Sequence, residues 1–138
     1  GVENVIFPGH IAFRTILAYY KIADLFLCMS EHEGFCVPLV EAMFFETPIV
    51  AYASTAIPGT LGGSGVLVES KEPERVAEKI HQVIEDEQYK NEIVKEQKKR
   101  LQDFSYENIK EQILDELKKV QQSKIDKVRN QNGEEKAD

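Results

Sequence analysis

Two nearly continuous apolar runs, Leu25-Phe26-Leu27-Cys28-Met29 and Pro48-Ile49-Val50-Ala51-Tyr52-Ala53, constrain this chain more than any other feature. A strand with no polar alternation is covered on both faces, which is the mark of a parallel sheet inside a layered α/β structure. Between the runs lies Val37 to Glu46, an unusually apolar helical segment. Its Pro38 fits the first turn, where a missing N–H costs nothing. Strand, helix and strand then make a right-handed βαβ unit. The loop after the first strand opens at the carboxyl end of the sheet, where open α/β sheets bind their ligands.

The rest of the chain extends this pattern. Val2 to Phe7 reads as a strand ended by Pro8-Gly9, and Arg14 to Ala23 as a helix with Ile16, Leu17, Tyr20 and Ile22 or Ala23 inward. A loop carries Pro58, Gly59, Gly62, Gly63 and Gly65, and Val66-Leu67-Val68 is a short last strand. Pro73 opens a helix whose inward side is Val76, Ala77, Ile80, Val83 and Ile84. Tyr89 to Leu101 is a charged helix, and Ser105 caps a last one whose Ile109, Ile113, Leu114, Leu117 and Val120 form core or a docking surface. The expected fold is α/β: a Rossmann-like, three-layer α/β/α arrangement around a parallel sheet, since alternating strands and helices imply βαβ units. Residues 1–120 are read as one partial domain. Residues 121–138, where apolar side chains nearly vanish, are read as a disordered polar tail.

The totals exclude several functions. At 138 residues the chain has the size of one domain. A net charge of -7 argues against a nucleic-acid binder. The basic cluster from Lys95 to Arg100 reads as a solvated helix face. No stretch is apolar enough to span a membrane, and the start lacks the pattern of a signal peptide. Cys28 and Cys36 have neither metal nor redox spacing, so a reducing, cytoplasmic setting is the default.

The chemistry concentrates in Ser30-Glu31-His32-Glu33-Gly34-Phe35-Cys36-Val37-Pro38-Leu39-Val40-Glu41-Ala42. Glu33 and Glu41 flank a glycine turn that leads into a helix. Unpaired amides at that helix start suit a phosphate. Glu41, about one turn in, suits a sugar hydroxyl as an acceptor. The two carboxylates are expected to converge on a pocket at the end of the sheet, as half of a nucleotide-sugar site. Gly34 is a turn glycine, and Phe35 packs the turn and lends its amide. His10, His32 and His81 read as loop, turn and surface residues. A dinucleotide fingerprint is absent, because Pro8-Gly9-His10-Ile11-Ala12-Phe13 does not supply G-x-G-x-x-G.

The ordered set Glu33-Gly34-Phe35, Pro38, Glu41-Ala42-Met43 and Pro48-Ile49-Val50-Ala51 resembles the C-terminal half of GT-B glycosyltransferases, the retaining kind called glycosyl transferases group 1. Their hallmark is two glutamates separated by seven residues, here Glu33 and Glu41. Phe7-Pro8-Gly9-His10-Ile11, Tyr20-Lys21-Ile22-Ala23-Asp24-Leu25-Phe26-Leu27, Gly65-Val66-Leu67-Val68 and Phe104-Ser105-Tyr106 resemble flanking landmarks, so the likeness runs over about residues 2 to 120.

The resemblance implies roles. Glu33 contacts the donor sugar near its reacting carbon or its hydroxyls. Glu41 accepts from the ribose. The amides of Phe35, Cys36 and Val37 face the diphosphate, and the backbone at Ile11 touches the base edge. The implied donor is a UDP- or GDP-sugar, with no metal or other cofactor, and the acceptor is a glycan or lipid held by another domain. The implied setting is polysaccharide or glycolipid synthesis in the cytoplasm, with the full-length protein at the membrane surface. The alternative is a non-catalytic Rossmann-like nucleotide-binding or assembly module. Three positions depart from the family's pattern: Cys36 and Glu46 stand where it prefers glycine, and Gly59 where it often has Glu. The acceptor domain and the early donor-domain segment, with its Arg and Lys for the diphosphate, have no counterpart here. The chain therefore reads as a fragment that is inactive alone and prone to self-association through an unpaired sheet edge.

Overall fold

The computed structural model describes residues 3–134, with side chains through residue 126. Two compact units divide the chain, Gly1–Leu101 and Gln102–Asp138.

The first unit carries three parallel strands, β1 (Phe26–Cys28), β2 (Ile49–Tyr52) and β3 (Val66–Val68), side by side in chain order. Phe26 lies opposite Ile49, and Val50 opposite Val66. Around them stand α1 (Phe13–Ile22), α2 (Val37–Phe44), α3 (Ile57–Leu61), α4 (Pro73–Glu85) and α5 (Glu87–Gln102). The expected α/β fold on a parallel sheet is the one observed. Ile49, Val50 and Ala51 are fully buried, as an apolar run requires when both faces are covered. Strand alternation sends Val50 to one face, where it packs with Val66, Val68, Val76, Val83 and Ile93 from β3, α4 and α5. α2 meets β2 and α3, and buries Leu39, Ala42 and Met43.

Polar groups tie the start of β2. The Gln97 side chain accepts from the Ile49 N–H at 3.0 Å and donates to the Thr47 carbonyl at 2.9 Å. Thr47 Oγ1 donates to the Tyr20 carbonyl at 2.9 Å. These bonds satisfy backbone groups left open beside the strand at Thr47 and Ile49 and in the last turn of α1 at Tyr20.

Several expectations need correction. Glu3–Phe7 is irregular rather than a strand, and Gly1 and Val2 lie outside the described residues. β1 pairs only with β2 among the described residues, so no ladder forms beside it and Phe7 stays 90% exposed. The glycine-rich loop contains a helix, α3: Pro58 presets its first turn and Gly62, at φ +58°, ends it. α4 turns Val76, Ile80 and Val83 inward, whereas Ala77 and Ile84 are exposed. On α1, Tyr20 is buried and Ile22 is exposed. The Lys95–Arg100 face is not wholly solvated. Arg100 donates to the Thr60 carbonyl at 3.0 Å and the Gly59 carbonyl at 2.7 Å, against the C-terminal end of α3 where a cation is favoured. A Cβ at Gly62 would lie 2.7 Å from Arg100 Nε, so only glycine permits that approach.

The second unit is α6 (Tyr106–Glu134). Ser105 Oγ accepts from the Asn108 N–H at 3.3 Å, as a cap does. The Asn108 side-chain amide donates to the Gln102 carbonyl at 2.7 Å instead of closing a capping box. Helix continues to Glu134 where an irregular tail was expected from 121, and residues 135–138 lie outside the described ones. Ion pairs Lys118–Asp115 and Lys119–Glu116 at i,i+3 spacing support it, although exposed pairs of this kind add little each. The stripe Ile109, Ile113, Leu114, Leu117 and Val120 is exposed rather than core. No described helix is long and apolar enough to cross a membrane.

Candidate functional site

The site is built on the passage from β1 into α2. The chain leaves the sheet at Cys28, turns through Ser30–Phe35 and enters α2 at Val37. At Cys36 the backbone is left-handed, φ +66° and ψ +67°. Such a residue reverses the chain so that α2 starts at once, and glycine is its ordinary occupant. Cys36 caps α2 without a side-chain bond, and its carbonyl accepts from the Leu39 N–H. The N–H groups of Cys36 and Val37 donate to no protein acceptor among the described residues. Both are therefore free for an anion, with the positive end of α2 behind them.

The Cys36 thiol is buried beside Cys28, with Sγ to Sγ at 3.9 Å. Burial first, and then the neighbouring Cys28, push its pKa up to about 12. The thiol stays neutral at physiological pH and places no negative charge at the helix start.

Glu33 is half-buried, and its main chain is fixed from the next loop. Its N–H donates to Thr55 Oγ1 at 2.8 Å, and the same hydroxyl donates to its carbonyl at 3.0 Å. Ser54 Oγ donates to the Ser30 carbonyl at 2.6 Å, and Thr60 Oγ1 to the Phe35 carbonyl. Thr55 itself sits at φ +40°. For a β-branched residue that conformation costs about 1–3 kcal/mol.

Glu41 lies one turn into α2. Oε2 accepts from the Tyr20 hydroxyl at 3.0 Å, and Oε1 accepts no protein hydrogen bond among the described residues. Burial, then the Glu41 carboxylate, raise the Tyr20 pKa well above its ordinary value, so the phenol remains a donor. Glu41 and Val37 line one groove of about 320 Å³ with Phe13, Leu17, Val40 and Phe44 among its walls. Ile11 lines a separate apolar cavity of about 230 Å³ against Tyr20 and Phe26. Gly34 is exposed, with open space where a Cβ would stand. Of the expected site residues, Val37 and Glu41 share that groove; Glu33, Gly34, Phe35 and Cys36 do not line it, so the expected convergence of both carboxylates is not seen there, and Ile11 lines the separate cavity, whose Tyr20 bonds Glu41.

Tyr20, Ser54, Thr55 and Thr60 were not legible as site residues. Tyr20 carries an inward signal, and nothing local says that its hydroxyl meets a residue 21 positions on. Thr55 is a residue type that disfavours φ > 0, so no sequence rule marks it.

Residues 1–100 match the family described as "Glycosyl transferases group 1". "O-antigen chain mannosyltransferase B" of Escherichia coli is 24% identical over 110 residues, covering 80% of this chain and 29% of its own length. "Protein CapJ" of Staphylococcus aureus is 31% identical over 122 residues, covering 86% of this chain and 31% of its own. Among solved structures, the C-terminal domain of a glycosyl transferase group 1 family protein (LpcC) from Francisella tularensis superposes with a TM-score of 0.60 at 29% identity, over 68% of this chain and 50% of that one. The chain spans under a third of the length of those two curated relatives.

Proposed function

Because this chain belongs to the glycosyl transferases group 1 family, we propose that it is part of the donor-binding domain of a glycosyltransferase that moves a sugar from a nucleotide-sugar with retention of configuration. Glu33 contacts the sugar. Glu41 accepts from the ribose hydroxyls through the open Oε1. The amides of Phe35, Cys36 and Val37 hold the diphosphate, and the backbone at Ile11 touches the base edge. Preorganised donors aimed at a departing diphosphate stabilise the charge that develops as the glycosidic bond breaks. The acceptor is a glycan or lipid held by another domain, in polysaccharide or glycolipid synthesis at the cytoplasmic side of a membrane. Curated relatives bear names such as "Capsular polysaccharide biosynthesis glycosyltransferase CapM" of Staphylococcus aureus, which supports that setting.

One observation carries this reading. The left-handed Cys36 starts α2 with free amides while Tyr20 holds the Glu41 carboxylate by one oxygen and leaves the other open. Calorimetric titration of the chain with UDP and GDP tests it. One of the two binds, and Glu41→Ala abolishes that binding. A folded chain that binds neither overturns the reading and favours a non-catalytic module. The edge of β1 that no strand pairs among the described residues supports self-association of the isolated chain. Light scattering that finds a monomer across micromolar concentrations overturns that.

A further inference from the structure

We propose that Thr55 is a positioning residue for Glu33, setting the direction of its carboxylate toward the donor sugar; the inference rests on the donor-site reading above. The Thr55 hydroxyl takes both the N–H and the C=O of Glu33, at 2.8 and 3.0 Å. Two directly opposed residues of an antiparallel pair make that exchange between backbones. Here one side chain stands in for a whole strand residue and fixes the peptide planes on both sides of a single glutamate.

Thr55 is exposed, so burial does not offset its strained φ of +40°. The fold does not need its hydroxyl to close the loop. Ser54 already ties the Ser30 carbonyl, and Thr60 ties the Phe35 carbonyl, on either side of Glu33. With the loop anchored at both flanks, what Thr55 adds is the orientation of the residue between them. Strain kept at a position without a packing role points to a functional constraint.

The test separates sugar recognition from nucleotide recognition. The 138-residue chain and its Thr55→Ser and Thr55→Gly variants are titrated with UDP, UDP-glucose, GDP and GDP-mannose, and each variant is melted. Thr55→Gly melts no lower than the parent, because glycine takes a positive φ freely. Its affinity for the bare nucleotide stays within roughly twofold, while the extra affinity conferred by the sugar falls by roughly tenfold, the scale of one or two lost hydrogen bonds. Thr55→Ser keeps the hydroxyl and the sugar increment. A Thr55→Gly variant that keeps the increment, or that weakens nucleotide and nucleotide-sugar alike, overturns the proposal and leaves the donor site standing. A parent chain that binds nucleotide without any gain from the sugar overturns the Glu33 assignment and Thr55 with it. A parent chain that binds none of the four overturns the donor reading itself.

Discussion

α2 is bounded at each end by a left-handed residue that is not glycine, Cys36 at φ +66° before it and Glu46 at φ +60° after it. The backbone cost is alike, and the surroundings differ. Glu46 is exposed at the helix C-terminus. Its N–H donates to the Met43 carbonyl and the Thr47 N–H to the Ala42 carbonyl, the paired bonds that end a helix with glycine at the left-handed position. Its side chain makes an exposed ion pair with Lys98 at 2.8 Å. Cys36 is buried at the N-terminus, and its thiol fills space against Cys28 while its amide stays open. Glycine would do at Glu46 whatever the side chain does. At Cys36 the side chain has packing to lose. One strained residue merely stops a helix, and the other opens a helix whose first amides meet no protein acceptor among the described residues.

Three changes test this contrast between a helix-opening and a helix-ending terminus. The largest effect is expected at the hinge between α1 and α2. Tyr20→Phe removes the only hydrogen bond that the Glu41 carboxylate receives among the described residues. It should cost about 1.5–3 kcal/mol, the scale for a bond to a charged acceptor, by denaturant unfolding. A cost near zero would mean that Glu41 is not held and that the N-terminal half of α2 is no more organised than its end. The next is Glu46→Gly. Relief of the left-handed residue should raise stability by about 1 kcal/mol, less the few tenths that an exposed ion pair contributes. A melting temperature that falls instead would show that the ion pair with Lys98 outweighs the backbone. The smallest effect at neutral pH is Cys36→Gly, where relief of strain and loss of thiol burial oppose each other and should nearly cancel.

That variant separates from the parent in alkali. The Cys36 pKa is about 12 in the fold against an ordinary value of 9.0. Between those values the folded chain keeps a proton that the unfolded chain has lost. The Cys36 contribution is therefore intact below pH 9 and shrinks as pH rises, by up to about 1.4 kcal/mol per unit. Cys36→Gly should flatten the decline between about pH 9 and 10, below the range in which tyrosines add their own. Identical slopes in the two proteins would mean that the thiol is not buried as described.

The strand and helix order was readable because unbroken apolar runs, at 25–29 and 48–53, mark strands and because Pro38 and Pro73 mark helix starts; the two-face burial expected of both runs holds for β2, whereas Leu27 of β1, at the sheet's edge among the described residues, is 41% exposed. Phe7 shows the limit of that reading. Val2 to Phe7 has the composition of a strand, yet a strand exists only beside a partner, and no partner flanks β1 on that side among the described residues. The stripe on α6 shows another limit. Its period identifies a helix and a face, and the period is the same whether the face is buried or bare. In the candidate site, spacing marked Glu33, Glu41 and the turn between them, and the structure gives that turn a left-handed residue at Cys36 and puts Glu41 in a bond with Tyr20. The departures at Cys36 and Glu46 were visible as missing glycines, and both fall at left-handed positions.

What the chain alone determined is what depends on near neighbours: which segments are strands or helices, where α2 begins, and that two carboxylates eight positions apart flank its first turn. Only the tertiary structure decided which groups hold those two glutamates, Glu41 by its carboxylate and Glu33 by its main chain. Tyr20 reaches Glu41 across 21 residues and Thr55 reaches Glu33 across 22. A hydroxyl's partner depends on which loops the sheet brings together, and local propensity carries no record of contacts that distant in the chain.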